Sequence, residues 1–85
     1  MLTYRAMYKS VPGGVHAEVL DFPGVISCGS NLEQAKKLLA GALVDMAETI
    51  LQEGGALPRP NPTRSDPQAD LEEPIPCRDR RSSSK

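Results

Sequence analysis

The sequence has one histidine, His16, and no HExxH, CxxC, GxxxxGK or GxSxG spacing. Readings as a zinc hydrolase, a nucleotide-binding protein or an acyl-transfer enzyme therefore have no motif behind them. On the outward face of a strand, a lone histidine is a solvated or cross-strand partner before it is a general base. The two cysteines, Cys28 and Cys77, are far apart and give no disulfide framework. Cys28 is expected to be buried or half-buried, and Cys77 to sit in a mobile tail. No stretch approaches the roughly 20 apolar residues that span a bilayer. Residues 1–5 lack the apolar core of a signal peptide, which points to the cytoplasm and away from any membrane.

Charge of one sign is also missing. Ten Lys plus Arg stand against eleven Asp plus Glu, a net charge of −1, so no broad basic face is available for nucleic acid or anionic lipid. The charges are unevenly placed: Asp66, Asp70, Glu72 and Glu73 precede a basic cluster of Arg78, Arg80, Arg81 and Lys85. Four cations without interleaved aromatics are read as a solubilising terminus.

What is present is one domain's worth of chain. With 85 residues the buried core is small, and self-association is a common remedy. Residues 2–9 alternate, with Leu2, Tyr4, Ala6 and Tyr8 on one side, the period of a half-buried strand. Pro12, Gly13 and Gly14 predict a turn, and residues 15–20 a returning strand with Val15, Ala17 and Val19 inward. Asp21-Phe22-Pro23-Gly24 breaks that strand, with Asp21 a candidate cap for the turn, and residues 25–28 predict a third.

Two overlapping cap signatures follow, Ser30-x-x-Glu33 and Asn31-x-x-Gln34, of which Asn31 is the better cap. The predicted helix runs to residue 52 or 53, with Gly54 as its left-handed stop. Leu32, Ala35, Leu39, Ala42, Leu43, Met46 and Ile50 form the stripe expected to cover the sheet. A second row, Ala40, Val44, Ala47 and Leu51, is a candidate oligomer or partner surface, because one sheet face does not need so broad an apolar band. From residue 58, six prolines interrupt every regular run. The domain is therefore drawn over residues 1–60, and residues 61–85 as a largely disordered tail with a candidate edge strand near residues 71–77.

Carboxylates are the one enzymatic pattern to weigh. Glu18 and Asp21 lie close along the chain, and a metal-dependent nuclease gathers several acids around Mg²⁺. Glu33, Asp45 and Glu48 fall away from the sheet-facing stripe, so ordinary solvated charges are the better reading. No cofactor is implied.

The string from Asp21 through Pro23, Gly24, Gly29, Asn31 and Leu32 to Ala35, preceded by Tyr4 and the Gly13-Gly14 turn, resembles the HicB-like antitoxin family. The similarity covers residues 2–62, including the glycine and proline exit after the helix. It implies an α+β fold, a three- or four-stranded antiparallel sheet with one long helix on one face, similar to a truncated ribonuclease-H-like fold without its catalytic acids. It also implies a non-catalytic role: binding and inhibiting a HicA-like mRNA-cleaving toxin, as a dimer or tetramer. The motif residues Asp21, Pro23, Gly24, Gly29, Asn31, Leu32 and Ala35 look architectural. Family members that bind operator DNA do so through an added helix-turn-helix or ribbon-helix-helix segment, which the proline-broken residues after 62 do not resemble. A stand-alone oligomer without a toxin, or a minimal metal-dependent nuclease, is the alternative.

Overall fold

The computed structural model describes residues 2–61 and 63–77. Four strands, β1 (Leu2–Val11), β2 (Gly14–Val19), β3 (Ile26–Gly29) and β4 (Leu71–Cys77), form one antiparallel sheet in the order β3-β2-β1-β4. The one helix among the described residues, α1 (Leu32–Gln52), lies across one face. The fold is α+β: the β-β-β-α order is the one the sequence predicts, and the fourth strand, only a candidate there, follows the helix.

Alternation puts Tyr4, Ala6 and Tyr8 of β1 on the inner face, beside Ala17 and Val19 of β2 and Ile75 and Cys77 of β4. Ala35, Leu39, Leu43 and Ala47 of α1 close over them, and Phe22 and Val25 enter from the turn between β2 and β3. Tyr4 and Phe22 meet edge to face with centroids 5.5 Å apart. Each large side chain so buried contributes about 1.5–3 kcal/mol, which is how a core this small holds the sheet to the helix.

Both ends of α1 are set locally. Asn31 Oδ1 accepts from the Gln34 amide at 2.8 Å, and the Gln34 side chain reaches back to accept from the Ser30 amide at 2.6 Å. At the other end Gly54 takes φ +82°, its amide donating to Leu51 O and that of Gly55 to Ile50 O. That pair of reversed bonds satisfies carbonyls the helix leaves open.

Four expectations are corrected. Cys77 is buried in β4, where it packs against the core beside Tyr4, and so is no tail thiol. Cys28 is exposed, because the short β3 turns it to the face without a helix. Leu32, in the first turn of α1, is 38 % exposed and lies outside the sheet-facing stripe. Ala47 is 4 % exposed and belongs to the core, one turn beyond Leu43. The candidate edge strand over residues 71–77 is β4. The basic cluster from Arg78 to Lys85 lies outside the described residues.

Candidate interaction surface

Gly24, Gly29, Ala35, Asn31 and Asp21 of the motif each meet a physical requirement. Gly24 takes φ +92°, which favours glycine. A Cβ on Gly29 would stand 2.6 Å from the Ala35 amide nitrogen, so the first turn of α1 rests directly on β3. Ala35 is fully buried at that contact. Asn31 caps the helix, while Pro23 is exposed in the turn. Asp21 is no local cap: its buried carboxylate accepts from the Asn61 amide at 2.6 Å and pairs with the Arg64 guanidinium. Tyr4 Oη donates to Pro58 O at 2.6 Å. Together Tyr4 and Asp21 anchor the proline-rich segment that leaves the helix.

That segment runs over the sheet face opposite the helix. The Asp66 amide and Ser65 Oγ donate to Glu72 Oε2, both at 2.9 Å, and Lys9 Nζ donates to Gln68 Oε1 at 3.1 Å. The Ser10 amide donates to Asp70 Oδ2 at 2.7 Å. Lys9 and Glu72 share this outer face with Met7, which is 2 % exposed although it points away from the helix. The Asp66 amide, the Ser65 hydroxyl and the Arg5 guanidinium hold the Glu72 carboxyl below its ordinary range. Burial, with Cys77 and Asp21 nearby, pushes the Tyr4 phenol up, and burial together with Glu73 does the same to Tyr8. An open cavity of about 400 Å³ lies between this segment and β1 and β4, walled by Arg5, Asp21, Asn61 and Glu73 among others.

The two candidate acids are not brought to one centre. Glu18 pairs with His16 at 2.7 Å on the outer face, whereas Asp21 is committed to Asn61 and Arg64. Among the described residues no group of three or more His, Cys, Asp or Glu is placed to hold a metal ion. Of the second helical row, Ala40 and Leu51 are exposed, Val44 is half-buried and Ala47 is core.

The two sheet edges are unlike, and sequence reading alone missed this. In an antiparallel ladder alternate residues bond to one neighbour, the rest to the other. The Leu20 amide bonds to Arg5 O, and the register carries that phase across the sheet, so Glu73, Ile75 and Cys77 face β1. Pro74 and Pro76 then occupy the outward positions, where a missing N–H removes the donors from that edge. On β3 the Val19 amide bonds to Val25 O, so Ser27 and Gly29 also face β2, and Ile26 and Cys28 turn their N–H and C=O outward. That edge has no proline and no charge.

The overall arrangement matches solved structures closely in shape and only distantly in sequence. A crystal structure of the N-terminal domain of the Burkholderia pseudomallei antitoxin HicB superposes with a TM-score of 0.70 at 19 % identity, over 91 % of this chain and 99 % of that one. The fold is that of a HicB antitoxin N-terminal domain. A crystal structure of the Burkholderia pseudomallei antitoxin HicB gives a TM-score of 0.73 at 22 % identity, over 89 % of this chain and 63 % of that HicB chain. A chain from a HicA3 and HicB3 toxin–antitoxin complex gives 0.70 at 19 % identity over 91 % of this chain. No family model and no curated relative matches this chain. No helix among the described residues is long and apolar enough to cross a membrane.

Proposed function

We propose that this protein is a HicB-like antitoxin, acting through protein contacts in the cytoplasm to bind and inhibit a HicA-like ribonuclease toxin, and self-associating as it does so. The observation that carries the reading is the likeness of the whole sheet-and-helix unit to HicB, over 99 % of the N-terminal HicB domain. The solved HicA3 and HicB3 complex supports the choice of partner. The engagement of Glu18 with His16 and of Asp21 with Asn61 supports a non-catalytic role, since each acid already has a structural partner. Coexpression with the product of the adjoining small reading frame is the test. A complex that survives size exclusion, together with relief of the growth arrest that product causes alone, is expected. Absence of the complex and an unrelieved arrest would remove the toxin from the reading.

A further inference from the structure

We infer that the β3 edge is a self-association interface, at which two copies of this chain pair β3 with β3 antiparallel and join their sheets edge to edge. The inference rests on the self-association named above and not on the toxin, and it is tested without one.

Three observations converge on this edge. Among the described residues no strand pairs with its outer side: Ile26 and Cys28 direct N–H and C=O away from β2, and such a strand edge is a template for another strand. Ile26, on the outer face, is 54 % exposed and Leu38, on the helix, 48 % exposed, more than any other large hydrophobic among the described residues. Leu38 flanks the same edge. Lys36 marks the β1 and β4 side of the helix, because it pairs with Glu73 at 2.8 Å and sits over the Tyr8 ring. Leu38, two residues on and so about 200° round the axis, lies on the flank toward β3.

The occupant that fits is a second copy. Residues 25–29 carry no charge, so the strand meets itself without like-charge repulsion. A twofold axis through Ser27 sets Ile26 against Cys28 of the other copy and Cys28 against its Ile26, using every outward group of this short strand. Ile26 and Leu38 of each copy then cover the new strand pair from the two faces. The opposite edge is closed by Pro74 and Pro76, so pairing stops after one step and yields a closed isologous dimer, not a fibre.

Light scattering of the full chain, with far-UV circular dichroism alongside, tests this. Ile26→Pro copies onto β3 the device that β4 already carries and removes no bond to β2, because the Ile26 amide points outward. The parent is expected at a mass of at least two chains, and Ile26→Pro is expected to halve it with the dichroism unchanged. Should Ile26→Pro lose its fold, Ile26→Lys and Leu38→Lys carry the same expectation. A parent at the mass of one chain overturns the inference, leaving the edge to a different protein's strand. So does a parent dimer that survives Ile26→Lys and Leu38→Lys, or that dissociates with Val44→Asp/Leu51→Asp instead.

Discussion

The Asp21 carboxylate holds the Asn61 amide at 2.6 Å, across 40 residues of chain. Asp21→Ala removes that hydrogen bond to a charged acceptor, a loss of about 1.5–3 kcal/mol; the Arg64 pair adds little, since its guanidinium is largely exposed. Asp21→Asn keeps an acceptor and should cost less. Urea denaturation ranks the three proteins, and faster hydrogen exchange at Asn61 in Asp21→Ala locates the effect. Equal midpoints for all three would show that the anchor carries no stability.

Two glycines, one at the end of β3 and one within α1, answer oppositely to one added methyl. Gly29→Ala forces a Cβ into the Ala35 backbone, and overpacking against rigid atoms costs about 1–3 kcal/mol. Gly41 has open space where a Cβ would go, so Gly41→Ala in the helix interior is expected to stabilise by about 0.5–1 kcal/mol. Thermal melting followed at the helical band reads both signs in one experiment.

The Glu72 carboxyl is held below its ordinary value of 4.5, first by the Asp66 amide and then by the Ser65 hydroxyl, with Arg5 adding to them. A depressed acid stabilises the fold fully above its unfolded value and loses that contribution as pH falls through the folded one. Below about pH 4.5 the contacts of Ser65 and Asp66 with the sheet should therefore weaken progressively. The Asp66 amide resonance is expected to titrate with Glu72 in the parent and to stay flat through that step in Glu72→Gln.

Removing the Tyr4 hydroxyl separates packing from anchoring. Tyr4→Phe keeps the edge contact with Phe22 and deletes the donor to Pro58 O, a change of about 1 kcal/mol. Limited proteolysis should then cut the segment after the helix sooner, while the core amides exchange at a rate shifted only by the small global loss. Unchanged cleavage there would assign the segment's order to its other contacts, at Asp21, Glu72, Lys9 and Ser10.

What local chemistry fixes, the sequence displays. The Asn31 cap, the Gly54 stop, the Gly13 turn and the inward row Tyr4, Ala6 and Tyr8 all follow from spacing within a few residues, and all stand as read. Two misreadings come from distant partners: Asp21 is occupied by the Asn61 amide 40 residues away, and Cys77 is core because β4 pairs with β1 from the far end of the sequence. Ala47 sits where two rows of the helix meet, and only the depth of the sheet beneath decides which it joins. The outward phase of Pro74 and Pro76 depends on ladder register, which no spacing rule within the segment reveals.

β1 lies at the centre of the sheet between the strand that follows it at once and the one that comes last among those described. As the chain leaves a ribosome, β2 therefore zips onto one flank early, while the other flank stays bare until residues 71–77 emerge. Closure by so remote a partner is entropically slow, so the nascent protein passes through a stage with three strands and one helix and no Ile75 or Cys77 beside Tyr4. A message cut within its final codons for β4 would release a product with an open central strand, a ready substrate for proteases and for aggregation.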